Sequence, residues 1–282
     1  HLGAKQNAKT LAEGITAEEL NVIIASLPIA DKDAEQRVKL NVLGMLNEAY
    51  GITERDFTRA EIEVVPAHKA RDIGLDRAMI GAYGHDDRVD AYPALMAEIE
   101  TKTPTYTSVC VLTDKEETGS DGNTGLNSSY LKYFIEDLAR LEGYEGRDVL
   151  RNSKCLSADV NAAFDPTWSS AFEKNNASFI NEGVVVTKFT GSHGKSGTSD
   201  ASAEYVSFVK NLLEENGVLW QSGELGKVDG GGGGTVAMYI ANLDVDVIDV
   251  GVPVLSMHAP YEIVSKIDVY MAYKAFTTFF TK

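Results

Sequence analysis

The 282 residues predict an α/β sandwich. From about Gly74 onward, short β-branched runs alternate with helical patterns. Those runs are nearly continuous in apolar residues, as strands covered on both faces are. Acids or a histidine recur just past the ends of the runs, where open α/β sheets bind ligands. The length exceeds the usual single-domain size, so one large or two unequal domains are expected, with a boundary at residues 76/77.

The opening part reads as helical. Thr16-Ala17-Glu18-Glu19 has capping-box spacing and predicts a helix that Pro28 ends. A second helix is predicted from about Asp33 to Tyr50, with Val38, Val42, Met45, Leu46 and Ala49 on one stripe and Gly51 as its stop. Glu61 to Val65 alternates like a half-exposed strand. Beyond His1 this part carries no chemical motif, and it reads as a packing or oligomerisation module.

The character changes near Gly74. Gly84-His85-Asp86-Asp87-Arg88 forms a Gly-flanked turn before an Ala/Leu-rich helix from about Val89 to Glu100. Thr105 to Leu112 reads as a buried strand that opens into Asp114-Lys115-Glu116-Glu117-Thr118-Gly119-Ser120, before a helix from about Leu126 to Leu141. Lys154 to Ser157 and Val184 to Phe189 read as strands, the first with Asp159 at its exit. Ser199-Asp200 is expected to cap a helix stopping at Gly217, and Gly230 to Gly234 to open a helix from Thr235 to Ala241. Val245 to Val250 and Val252 to Met257 are further strands, with His258 past the second. Ser265 and Asp268 have capping-box spacing ahead of the last helix.

Composition narrows the function. The net charge of −16, from 26 Lys+Arg against 42 Asp+Glu, supplies no basic surface for nucleic acid or anionic membrane. No apolar run reaches membrane-spanning length. Cys110 and Cys155 lie in apolar runs and read as buried thiols of a reducing compartment, which points to a cytoplasmic protein. The chain starts at His1 inside a segment that reads as mid-domain, so an N-terminal part is expected to be missing.

Four segments thus place acids or histidine past a strand or in a turn: Asp86/Asp87, Glu116/Glu117, Asp159 and His258. Carboxylates with imidazole match a zinc-type ligand set, and one carboxylate can bridge two metals. No HExxH helix is present, and Gly191-Ser192-His193-Gly194 lacks the nucleophile-elbow pattern. The residues alone leave open a solvated acidic rim on a scaffold protein, and a metal-independent glycosidase using Glu116 with Asp159. Lys-Ser/Thr does not follow the five-glycine run, so it is not a P-loop. Close backbone approach of Gly230, Gly231 and Gly232 to a substrate and a flexible surface loop both remain.

These motifs together resemble the M18 metallopeptidases, the aspartyl aminopeptidase and aminopeptidase I group, over nearly the whole chain. The resemblance is strongest in Gly84-His85-Asp86-Asp87-Arg88, Asp114 to Ser120, Ser157-Ala158-Asp159 and Ser256-Met257-His258-Ala259. It implies a Zn-peptidase-like α/β sandwich over residues 77–282, with residues 1–76 the remainder of an inserted oligomerisation domain, and assembly into dodecamers. It implies an aminopeptidase acting on peptide substrates with two zinc ions per site. By the same resemblance Asp86 is the bridging ligand, Glu117, Asp159 and His258 are terminal ligands, and Glu116 is the general base. His1 resembles a histidine of the insert that reaches a neighbouring subunit's site. Two departures stand out. The family's first metal ligand, in a His-x-Asp segment, has no counterpart here, and the glycine run replaces a Cys-Gly segment usual in aspartyl-specific members. Lys188, at the end of a buried strand, is the candidate for recognising an acidic substrate residue.

Overall fold

The computed structural model describes residues 2–194 and 196–282. It divides into two compact units, one ending at Val65 and the other running from Pro66 to Lys282. The expected 76/77 boundary falls inside a β-hairpin of the second unit.

The first unit contains α1 (Leu2–Gln6), α2 (Arg37–Tyr50) and α3 (Glu54–Phe57). The helix expected after Thr16 is only a 3-10 turn over Ala17–Glu19, because the β-branched run Val22-Ile23-Ile24 that follows disfavours helix. Helix α2 starts four residues later than expected, after Gln36 in a left-handed conformation, and stops at left-handed Gly51 as predicted. Residues 61–65 form no strand. None of the unit's described residues is buried, and Leu11, Ile15, Ile23 and Leu27 lie open.

The strands of the second unit are β1 (Arg71–Ile73), β2 (Met79–Ala82), β3 (Lys154–Ser157), β4 (Asn161–Ala162), β5 (Val184–Thr187), β6 (Phe189–Ser192), β7 (Ser196–Asp200), β8 (Trp220–Ser222), β9 (Asp246–Gly251), β10 (Pro253–Leu255) and β11 (Glu262–Ser265). Its helices are α4 (His85–Glu100), α5 (Tyr130–Leu141), α6 (Gly146–Arg151), α7 (Ala203–Glu215), α8 (Ala237–Ala241) and α9 (Lys266–Thr281). One sheet has the order β3-β9-β5-β8, a second β1-β2-β11-β10-β4, and β6 pairs with β7. Val252 alone separates β9 from β10, so the chain passes there from one sheet to the other.

Alternation along β9 builds the layers. Ile248 and Val250 join Val184, Val186 and residues of α4, α7 and α9, among them Val209, Leu213, Ala272 and Phe276, in one core. Val247, on the opposite face, packs with Ala237 and Ile240 of α8 and with Leu131 of α5. Helices on both faces of the sheet make the expected α/β sandwich.

Three local expectations fail. Thr105 to Leu112 is not a strand: residues 101–115 run as irregular chain, with Val111 and Leu112 exposed, because no neighbouring strand among the described residues offers them a ladder. The cap of α7 is Ser202, whose hydroxyl accepts the Tyr205 N–H, while Ser199 and Asp200 finish β7. Helix α8 begins at Ala237 rather than Thr235.

Candidate metal centre

Sheet order brings the site together. β11 lies between β2 and β10, and Glu262 at its start is in register with Ala82 at the end of β2. The first turn of α4, which carries Asp86, therefore meets the β10-to-β11 turn carrying His258. Asp159 lies in the link between β3 and β4, and Glu116 and Glu117 sit in a 3-10 turn, Glu116–Thr118, entered through left-handed Lys115.

His258 Nε2 lies 2.9 Å from Asp86 Oδ2 and 3.0 Å from Glu117 Oε1. Ligand atoms of Asp86, Glu117 and His258 all fall within 4.8 Å of one another, and so do those of Asp86, Asp87 and Asp159. Asp86 is common to both sets. The first set is open, with the Glu117 and His258 side chains 59% and 61% exposed, while all three residues of the second are half-buried. Glu116, expected as the base, stands beside the ligands and lines the same cavity, of about 630 Å3, together with Asp86, Glu117, Asp159 and His258.

The electrostatics of this cluster call for a cation. Burial, with Glu117 close by, pushes Asp86 up to about 6. Burial also drives Asp87 and Asp159 well above the usual carboxylate range, reinforced for Asp87 by Asp90 and for Asp159 by Asp249. Glu116 is raised by burial and by Glu117. One oxygen of Asp87 is buried without a hydrogen-bond partner. Buried acids are stable when paired or bound to metal, and oxygen and imidazole donors at this spacing suit zinc. The residues present fit the metal that the donor set implies.

Several residues at the site had no role assigned in the sequence reading. Asp87, named there only as the neighbour of Asp86, joins the half-buried ligand set. Fully buried Asp90 accepts the Val252 N–H at 3.1 Å and is pushed to about 7 by burial. Asp249 lies behind Asp159, 4% exposed and raised to about 6 by burial against the favourable pull of Ser157 and Thr235. Glu262 is 2% exposed. An acid inside an otherwise apolar run, as Asp249 is in Val247 to Val250, was the available signal.

The substrate-binding candidates scatter. Lys188 is half exposed and ion-paired to Asp200, and it is not among the described residues lining the cavity. Gly232 lines the cavity, whereas Gly230 and Gly231 are outside that lining. The glycine run lies against β6: Gly231 and Gly233 carbonyls accept the N–H groups of His193 and Gly191 at 2.9 and 2.8 Å. Gly232 has φ +81°, and a Cβ there would meet the Gly191 carbonyl oxygen at 2.5 Å, so the glycine serves a close backbone approach. His1 lies outside the described residues.

Comparison with known proteins agrees with the geometry. The family described as Aminopeptidase I zinc metalloprotease (M18) matches residues 1–280. A probable M18 family aminopeptidase 1 of Clostridium acetobutylicum is 45% identical over 283 residues, 99% of this chain and 61% of that protein. The crystal structure of an M18-family aminopeptidase from Thermotoga maritima superposes with a TM-score of 0.91 at 42% identity, covering 98% of this chain and 62% of that one. The mApe1 dodecamer of S. cerevisiae shares the fold, with a TM-score of 0.68 at 22% identity over 86% of this chain and 54% of that one. The chain thus spans about three fifths of the length of the relatives it matches.

Proposed function

The chain belongs to the M18 zinc metallopeptidase family, and on that footing we propose that it forms the larger part of an aminopeptidase that removes N-terminal residues from peptides with two zinc ions. The observation that carries this reading is the pair of ligand clusters sharing Asp86. Glu117 and His258 would complete one zinc position and Asp159 the other, with Asp86 between them. When bound, zinc supplies Lewis-acid polarisation and acidifies water.

The residues of the chain do the rest. Glu116 stands in the cavity beside the ligands, where it takes a proton from the attacking water and returns it to the leaving amine. Asp90, fully buried behind Asp86, ties the start of α4 to the β9-to-β10 link by accepting the Val252 N–H. Phe172, Leu225, Met238 and Met257 give the cavity an apolar wall against which a substrate side chain packs and water is excluded.

The same reading makes residues 1–65 part of an oligomerisation module in a large homo-oligomer, a dodecamer as in the S. cerevisiae protein. Its support is the open apolar surface of that unit. His1 would approach a neighbouring subunit's site. The protein is assigned to the cytoplasm, in keeping with two free cysteines. Among the described residues no helix is long and apolar enough to cross a membrane.

Zinc analysis of the purified chain, with a panel of aminoacyl chromogenic substrates, tests the proposal. Bound zinc and chelator-sensitive release of the chromophore are expected. A chain that takes up no zinc under saturating conditions would refute it.

A further inference from the structure

Glu262 has no part in the chemistry above, yet it is 2% exposed and sits at the head of β11. One of its carboxylate oxygens accepts the backbone N–H of Asp86 at 3.0 Å, and the other accepts the backbone N–H of His258 at 2.8 Å. Among the described residues it forms no ion pair with lysine, arginine or histidine. Its charge is therefore held by two amides, and both belong to residues whose side chains meet at 2.9 Å. The two amides come from different turns of the fold, one entering α4 and one leaving β10.

Each of those turns needs such a hold. His258 and Ser256 both have positive φ, at +65° and +60°, a conformation that side-chain-bearing residues rarely adopt without a fixing partner. Asp86 is the second residue of α4 and departs from helical geometry, with ψ 107°; at that position its N–H has no carbonyl within the helix to bind. A carboxylate with one oxygen for each N–H sets the spacing of the two backbones, and its negative charge behind both residues favours a cation in front of them.

We infer that Glu262 is a positioning residue of the metal centre, clamping the backbones of Asp86 and His258 so that their side chains converge on one cation. The inference rests on the two-zinc reading of the site. A glutamine can accept only one of the two N–H bonds and turns an amide N–H2 toward the other. An aspartate keeps the charge but is one methylene shorter and cannot span both amides. Either change should loosen the convergence of the ligands rather than the fold alone.

The test is metal affinity rather than turnover. The chain, stripped with a chelator, is titrated with zinc against a competing indicator for wild type, Glu262→Gln and Glu262→Asp, and melting temperatures are recorded with and without zinc. Cobalt(II) replaces zinc in a parallel set to read ligand geometry from the visible spectrum. The expected result is at least a tenfold loss of zinc affinity in both variants, a smaller zinc-induced rise in Tm and an altered cobalt spectrum. The inference is overturned if a variant shows a lower Tm with and without zinc by the same amount while its affinity and cobalt spectrum match wild type. That outcome would make Glu262 a stitch of the β10–β11 turn only, with the two-zinc reading intact. A wild-type chain that binds no zinc would overturn both readings together. Should Glu262→Gln fail to fold, Glu262→Asp gives the same discrimination.

Discussion

Gly251 and Asp159 approach so closely that a Cβ on Gly251 would lie 1.8 Å from the Asp159 carbonyl oxygen and 2.6 Å from Asp90 Oδ2. Gly251 ends β9, and the backbone carrying a proposed zinc ligand passes directly over it. Only a residue without a side chain allows that contact. Gly251→Ala must displace either the strand or Asp159, and overpacking of this kind costs about 1–3 kcal/mol, occasionally more. We expect a lower urea midpoint and, on the proposed two-zinc reading, loss of about one zinc equivalent. Unchanged stability and zinc content in the variant would show that the link to β4 moves freely.

Glu116 and Glu117 are adjacent, but only Glu117 contacts His258. Glu116→Gln should lower kcat about a hundredfold or more with zinc content unchanged, since it keeps size and removes the proposed base. Glu117→Ala should lose zinc. Steady-state rates with metal analysis on the same samples check both. Zinc loss in Glu116→Gln would exchange the two roles.

Lys188 is paired to Asp200 away from the cavity lining. Removing an exposed pair of this kind typically changes stability by about 0–1 kcal/mol. Lys188→Met should therefore change kcat/KM for matched aspartyl and leucyl substrates by the same factor, less than about threefold. A selective loss of about tenfold on the aspartyl substrate, ~1.4 kcal/mol, would make Lys188 the acid-recognising group after all.

Asp268 is buried, and burial raises its carboxyl to about 6 although the N–H groups of Asn181 and Gly183 favour the charged form. Between about pH 4 and 6 the native state holds a proton that the unfolded chain has released. This group's contribution therefore falls as pH rises through that window and is flat above it. Asp268→Asn should remove that slope, so the stability difference between the two proteins shifts in favour of the variant as pH rises from about 4 to 6 and is constant above it. Urea unfolding of both proteins across pH 4 to 7 measures the difference, and a constant gap between the two curves would refute the assignment.

Local spacing placed Asp86, Asp159 and His258 just past a strand or in a turn, and the structure brings them into two clusters that share Asp86. It also identified β5, β9 and the stop of α2 at Gly51, where a continuous apolar run or a left-handed glycine acts within a few residues. Thr105 to Leu112 has the same β-branched composition and is no strand, since a strand exists only where a partner supplies its hydrogen bonds.

The polar partnerships were decided by the tertiary structure. Ser265 and Asp268 have capping-box spacing, yet the Ser265 hydroxyl donates to Asn181 Oδ1 at 2.6 Å and Asp268 accepts from Asn181 and Gly183. Glu262 binds Asp86 and His258 because β11 pairs with β2 in one register, and a shift of a single residue would turn its side chain to the other face. Periodicity along a chain records which face of an element is buried. Which amide a buried carboxylate meets depends on the register between elements distant in sequence, and residue spacing carries no record of that.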